Sequence, residues 1–504
     1  MKILAMYLPQ YHQVKENDEW WGEGYTDWVS AQRAVPYFEG HNQPRIPQDG
    51  NYYDLLSKKT MVWQADLMRQ YGIDGMCIYH YWFKDGRQIL EKPVENLLLW
   101  KDINMPFCFC WANETWARSW ANIPGANVWY DKGESKVKGE QAILIEQAYG
   151  ECGEWKKHFE YLLPFFKDQR YLRVNDKPIF VFYKPEKIPC LTQMLEYWDE
   201  LARHHGLKGV YTIGANLSRG ITCGLDAELY HQPAHTLQYL QRQKKGGVWT
   251  VDYDKVWEYI LSEQALSDQN VIFGGFVDYD DTPRRGKKGF SVLGTDPLKF
   301  QKYLAKLIAK NAKNGNDLVF LNAWNEWGEG MYLEPDEKNH DAFLKEIKRA
   351  RENAEQYPDD TDGKYSAEVS MIKSLSEDRC KLESYFRTLN KWLTVKEQGK
   401  CLEQYFKRNN VKSIGVYGYG ALGRHLVDEL CESDVTVKYV IDKKIPDISC
   451  NIKIIRPEEQ IQNVEMIVVT AYYYWNEIVE LLGKKGDYQI ISLETVVDEV
   501  MRYG

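Results

Sequence analysis

Two glutamates three positions apart, Glu326 and Glu329, stand in the stretch NAWNEWGEG (322–330), directly after the apolar run DLVFL. Acid/base cleavage of a glycosidic bond needs a pair of carboxyl groups near that bond, one protonated and one ionised. Along a continuing strand the two side chains would point to opposite faces. A turn or helical bend would bring them to one side, and Gly328 and Gly330 make such a bend easy. Like charges held close, or burial under Trp324 and Trp327, would raise one pKa and leave the other group ionised. The same spacing also suits two solvated acids on a loop, so the surroundings must decide.

The surroundings offer more polar and aromatic chemistry. CWANETWARSW (110–120) sets Asn113 and Glu114 between Trp111 and Trp116. Glu114 reads as a third carboxylate holding sugar hydroxyls, as the partner of Glu326, or as a rim salt bridge. HYWF (80–83) and YHQP (230–233) supply His80 and His231 as donors to hydroxyls, with Tyr81 and Trp82 beside the first. Aromatic faces, Trp21 among them, can stack on sugar rings while keeping a polar handle. In DDTPRRG (280–286), Arg284 and Arg285 could fork onto a phosphate or an acidic sugar. They could equally pair with Asp278, Asp280 or Asp281, and the ion pair is the favoured reading. No HExxH or comparable ligand spacing occurs, and a divalent metal is not required.

These residues need elements to position them. Eight apolar runs recur in the first 350 residues or so: 2–8, 72–82, 105–113, 177–184, 209–216, 227–232, 270–277 and 317–324. Most are continuously apolar, as strands buried on both faces should be. Helical patterns lie between them, several ending at glycine. Eight strands alternating with helices predict an α/β fold, a (β/α)8 TIM barrel, although the link between the fifth and sixth strands is short and weak as a helix. The motifs YLPQYH, YHYWF, WANETW, ANLSRG, VDYDDTPRRG and NEWGEG all follow strand ends. In a barrel they would converge on one rim, where such enzymes keep their active sites.

The expected organisation is a catalytic barrel over 1–355, a polar linker and helical connector over 356–409, and a small Rossmann-like α/β domain over 410–504. In that domain GYGALG places Gly418, Gly420 and Gly423 in a GxGxxG pattern between a strand and a helix, and Asp442 ends the next strand. The pattern predicts a module that binds a nucleotide, a nucleotide-sugar or nothing; the barrel chemistry itself calls for no cofactor.

The 504-residue chain is 44% hydrophobic and 27% charged, as ordinary folded domains are. A net charge of −9 argues against general nucleic-acid binding. The 10 cysteines form no CxxC pair and fit free thiols in a reducing compartment. The N-terminal run is too short and polar for a signal peptide, and no run is long enough for a membrane helix. The expected location is the cytoplasm.

Together YLPQYH, WWGEGYTDW, HNQPRIPQDGNYYDL, IYHYWFKDGRQILEKP, CWANETWARSW, DDTPRRG and NEWGEGMYLEPD resemble the WbsX-type proteins of bacterial surface-polysaccharide clusters. Those in turn resemble glycoside hydrolase family 99, the endo-α-mannosidase type. The resemblance spans about residues 1–350. It implies a (β/α)8 barrel and a metal-free retaining mechanism. By that resemblance Glu326 would deprotonate the sugar's own 2-hydroxyl, which attacks the anomeric carbon to give a 1,2-anhydro sugar. Glu329 would be the acid on the leaving oxygen and then the base on water, with Asn325 and Trp327 in support. The hydrolases carry a histidine where this chain has Gly328, a departure that bears on the subsite. The expected activity is cleavage or transfer of α-linked glycosyl units of a glycan or lipid-linked oligosaccharide. The alternatives are a nucleotide-sugar-dependent glycosyltransferase and a non-catalytic glycan-binding protein.

Overall fold

The computed structural model describes residues 1–117, 143–217, 224–265, 270–356, 367–443, 452–486 and 488–503. Arg118–Trp120 of CWANETWARSW, the end of ANLSRG and part of the polar linker lie outside the described residues. The chain divides into two compact units, Met1–Ile372 and Lys373–Gly504.

The first unit is a barrel. Its strands are β1 (Lys2–Tyr7), β2 (Gly75–His80), β3 (Phe107–Trp111), β4 (Lys177–Phe182), β5 (Tyr211–Ala215), β6 (Ala227–Tyr230), β7 in two pieces (Val271–Phe273 and Gly275–Phe276) and β8 (Leu318–Asn322). Each of the eight runs read from the sequence contains one of them. Neighbours pair in parallel from β1 through β6; β7 pairs with β6 through its first piece and with β8 through its second. Parallel pairing of β8 with β1, Lys2 opposite Leu318, closes the ring. At the break in β7, a Cβ on Gly274 would come 2.5 Å from the Tyr230 carbonyl oxygen, so only glycine lets the strands approach there.

Two helices, α1 (Lys15–Trp21) and α2 (Asp27–Arg33), lie in the connection after β1; the outer layer holds α3 (Lys58–Tyr71), α4 (Lys92–Leu99), α5 (Cys152–Phe166), α6 (Leu191–His204), α7 (Tyr253–Ser262), α8 (Pro297–Lys313) and α9 (Ala342–Asn353). The α3 helix stops at Gly72, whose left-handed backbone returns its N–H to the Met68 carbonyl. Among the described residues no helix joins β5 to β6. Strand alternation divides the side chains between barrel interior and helix layer. On β3, Phe107 and Phe109 meet Phe165 of α5, so Cys108 and Cys110 face inward with Cys77 of β2. All three thiols are buried and free.

The second unit takes most of α10 (Ala367–Glu397), from Lys373 on, and holds a parallel sheet of β9 (Ser413–Tyr417), β10 (Thr436–Ile441), β11 (Lys453–Ile455), β12 (Met466–Val469) and β13 (Ile490–Ser492). Their spatial order is β11-β10-β9-β12-β13, so the chain reverses direction across the sheet at β9 and β12. Trp392, Val395, Leu402 and Phe406 belong to this unit's core, packed with the strands rather than standing apart as a connector. Among the described residues no helix is long and apolar enough to cross a membrane.

Candidate active site

The site is built at the C-terminal end of β8. Asn325–Glu326 pairs antiparallel with Met331–Tyr332, and a single helical turn, Trp327–Glu329, forms the tip between them. This is the bend the two glutamates require. Gly330 closes it with φ +64°. Gly328 serves a different end: its φ is not left-handed, and a Cβ there would lie 2.6 and 2.7 Å from the Asp27 oxygens and 2.7 Å from Arg284 Nε.

Arg284, 5% exposed, joins the acids. Its Nη2 donates to Glu326 at 2.7 Å, Nη1 to Glu329 at 2.5 Å and Nε to Asp27 at 3.0 Å. The expectation that Arg284 pairs with Asp278, Asp280 or Asp281 is therefore corrected. Those aspartates have other partners: Arg45 for Asp278 at 2.8 Å, His41 for Asp280 at 2.7 Å and Arg285 for Asp281 at 3.2 Å. The reason is local geometry. The short turn Thr282–Arg285 directs Arg284 to the β8 loop and leaves Arg285 half-exposed.

Three carboxylates against one buried guanidinium leave the cluster rich in negative charge. Burial pushes Glu326 up to about 8; Arg284 pulls it back, while Glu329 and Asp27 push further. Glu329 is also raised, first by burial, with Asp281 and Asp27 adding to it against Arg284. The pair thus retains a proton near neutral pH, and its two titrations belong to the pair jointly. The Glu326 side chain is 8% exposed and that of Glu329 27%, so Glu329 is the more open of the two.

Tyrosines lie near the pair. Tyr79 and Tyr81 both feel the Glu326 charge, and Tyr183 feels Glu114, Glu329 and Glu326. Tyr79 on β2 meets His231 Nε2 at 3.1 Å, and Tyr183 lies edge-on to the same ring at 5.3 Å. Burial and the adjacent Lys184 pull His231 down to about 3, so it stays neutral. Trp116 packs edge-on against Tyr81 at 5.2 Å, and Trp21 lies against Tyr25 at 6.1 Å.

Other expected site residues are placed elsewhere. His80 faces the helix layer, 2.9 Å from His158 of α5, and burial pulls it down to about 3. Trp82 stacks on His158 at 4.5 Å, and Trp111 lies edge-on to the same ring at 4.8 Å. Asn113 is fully buried and bridges the Lys184 backbone, receiving its N–H at 2.8 Å and donating to its carbonyl at 2.8 Å. Glu114 is half-buried near Tyr183 and Tyr149. The Asn325 side chain spans back to both backbone groups of Leu8. Trp327 turns its indole to Glu334, at 2.8 Å, not to the glutamates beside it.

Sequence reading missed Asp27, Tyr11, Tyr79, Tyr183 and Glu334. Period-two alternation on β2 was the available signal: Cys77, Tyr79 and Tyr81 share one face and His80 takes the other. Asp27 sits within the quoted motif WWGEGYTDW, but nothing local ties it to a residue some 300 positions on.

In the second unit Gly418 has φ +97°, and a Cβ on Gly423 would come 2.1 Å from the Gly418 carbonyl oxygen. A Cβ on Gly420, which precedes α11 (Ala421–Leu430), would meet open space. Asp442 accepts the Tyr419 N–H at 2.6 Å, closing the loop on itself.

The first unit also matches known proteins in sequence. Two Xanthomonas campestris pv. campestris proteins named WxcX, from strains B100 and ATCC 33913, are 32% and 33% identical over 69% of this chain. This chain covers 49% of each, about half their length. The GH99 endo-alpha-mannosidase from Bacteroides thetaiotaomicron, in complex with bis-tris propane, is 13% identical, with a TM-score of 0.43 over 70% of this chain and 97% of that one. The profile of the family described as Glycosyltransferase WbsX matches residues 3–347, and on that match the chain belongs to the WbsX family.

Proposed function

We propose that the barrel is a carbohydrate-active enzyme that cleaves or transfers α-linked glycosyl units with retention, in the metabolism of a bacterial surface polysaccharide. The observation that carries this reading is the sharing of one buried guanidinium by Glu326 and Glu329 at the C-terminal end of β8. A pair held this way shares one proton; in the free site burial favours it on Glu326, and the roles below require it to pass to Glu329 when the sugar binds. In the first step Glu326 takes the proton of the sugar's 2-hydroxyl, the freed oxygen attacks the anomeric carbon, and Glu329 gives its proton to the departing oxygen. In the second step Glu329 takes a proton from water or an acceptor hydroxyl, that oxygen opens the 1,2-anhydro sugar, and Glu326 returns the proton to the 2-oxygen. The more open Glu329 suits the group that must meet both leaving group and acceptor. Tyr79, Tyr81, Tyr183 and His231 supply the wall against which the sugar would bind.

Glu329→Gln should lower turnover of α-linked glycans or lipid-linked oligosaccharides by at least about a thousandfold while glycan binding persists. Mass spectrometry of the products, with and without nucleotide-sugars, reads hydrolysis against transfer. Undiminished turnover by that variant removes the assignment.

A second reading, nucleotide-sugar-dependent transfer, is favoured by the glycine-rich loop of the second unit, with Gly420 open to a ligand backbone. Equilibrium binding of nucleotide-sugars to the full chain, compared with Gly420→Trp, tests it. Binding that the substitution leaves unaltered counts against that loop.

A further inference from the structure

We propose that Asp27 is a positioning residue of the reaction centre, which grips the catalytic turn through Gly328 and sets the charge against which Glu326 and Glu329 ionise. The functional meaning rests on the reading of the two glutamates as acid and base; the physical claim does not.

Asp27 opens α2, in the long connection from β1 to α3, and is 1% exposed. Both its oxygens are engaged on the catalytic turn or its cation. Oδ1 accepts from Arg284 Nε at 3.0 Å, and Oδ2 accepts from the Gly328 N–H at 3.0 Å and the Tyr11 hydroxyl at 3.2 Å. The single Tyr11 proton is shared between that oxygen and the nearer Asn325 carbonyl, and the Tyr11 oxygen accepts the Trp327 N–H at 3.0 Å. The turn carrying the glutamates is thus held by its own backbone at 325, 327 and 328, from one aspartate and one tyrosine of a distant loop. The space a side chain at 328 would need is filled by the Asp27–Arg284 pair.

Holding a loop does not by itself require a third acid beside two others. A buried carboxylate among like charges is costly unless it is paired and hydrogen-bonded, as Asp27 is by Arg284 and Gly328. Asp27 takes the Nε edge of the guanidinium and leaves Glu326 and Glu329 one terminal nitrogen each. Its charge opposes ionisation of both glutamates. The other groups facing the cluster are Tyr11 and Tyr25 from the loop after β1, with Arg33 of α2 beside Tyr25, Tyr79 on β2 and Tyr81 just after it, Tyr183 just after β4, and Tyr279, Asp281 and Arg285 from the loop after β7. Among these Asp27 alone binds both the turn and the guanidinium.

The test is a carboxyl titration of the full chain labelled with ¹³C at the glutamate side-chain carboxyl carbon, Glu326 and Glu329 being assigned through Glu326→Gln and Glu329→Gln. In Asp27→Asn the midpoints of the pair should fall by about one pH unit, a tenfold change in the ionised ratio. Asp27→Ser, a smaller residue that still offers an acceptor oxygen to Gly328, should lower them in the same direction. Midpoints at their wild-type positions in a folded variant overturn the proposal. So does failure of both variants to fold, which assigns Asp27 to folding alone. The titration reads no turnover, so a wild-type enzyme that cleaves no glycan tells against the functional reading and leaves this measurement standing. With an active enzyme, the alkaline limb of kcat should move to lower pH with KM unchanged.

Discussion

Trp327 donates its indole N–H to Glu334 at 2.8 Å, so the tryptophan next to Glu326 faces into the protein and anchors the turn from beneath. Glu334 is 3% exposed and also receives Tyr53 and Gln64, each at 2.8 Å. Tyr332 stacks on the same indole at 3.7 Å, and Trp28 lies 5.4 Å from it. Glu334→Ala strands three buried donors, and we expect a loss of about 3 kcal/mol of stability in denaturant unfolding. Glu334→Gln should cost less in stability, since it retains an acceptor, yet still lower kcat by disturbing the turn. A Glu334→Ala protein as stable as wild type would contradict this role.

Arg284 is the only cation bonded to both glutamates among the described residues. Arg284→Met leaves Asp27, Glu326 and Glu329 facing one another without it. The expected cost is about 3–5 kcal/mol above neutral pH, shrinking as the carboxylates take up protons in acid. Thermal unfolding at pH 5 and pH 8 checks the sign: the deficit relative to wild type should be larger at pH 8.

Gly328 differs from Gly330 in why it must be glycine. Gly328→Ala has no backbone strain to meet, but its methyl must displace Asp27 or Arg284. We expect kcat to fall by about a hundredfold through misplacement of the acids, with a modest change in melting temperature. Steady-state kinetics beside calorimetry separates the two effects; unchanged kcat would show that the pair yields freely.

Glu228 on β6 is 6% exposed, and burial, reinforced by Glu263 and Glu186, pushes it up to about 8. The folded protein therefore keeps a proton there that the unfolded chain releases above about pH 4.3. Stability from this group is full below that pH and is lost as pH rises towards 8. Glu228→Gln removes the loss, so its advantage over wild type should grow from pH 5 to pH 8 by roughly 3–4 kcal/mol. A pH-independent difference would place the ionisation elsewhere.

His80 and Tyr79 are neighbours in sequence with opposite destinations. His80 packs against α5, while Tyr79 reaches His231. His80→Phe should leave KM within about twofold of wild type and act on stability alone, whereas Tyr79→Phe should raise KM through loss of the His231 contact. Measured on one glycan, a larger KM effect from His80→Phe would reverse this assignment.

The periodic apolar runs carried most of the barrel. Eight continuous segments bounded by turn residues admit few arrangements, and each holds a strand of the closed ring. The spacing of Glu326 and Glu329, with Gly330 after them, already called for the bend that unites them. What the chain could not disclose locally was which aromatic or histidine faced inward. Strands of five or six residues make that a question of parity, and a reading that weighed residue type over parity chose His80, Trp82 and Trp111 instead of Tyr79. Long-range pairing lay further out of reach. Arg284 had three aspartates within six positions, yet its carboxylates came from the turn after β8 and from α2. Sequence by itself settled the number of strands and singled out Glu326 and Glu329 as a pair of acids at the end of the last one. Tertiary structure alone chose their counter-ion, 42 and 45 residues away, and gave Gly328 its reason in Asp27, 301 residues away, because charge pairing and excluded volume act across space and not along the chain.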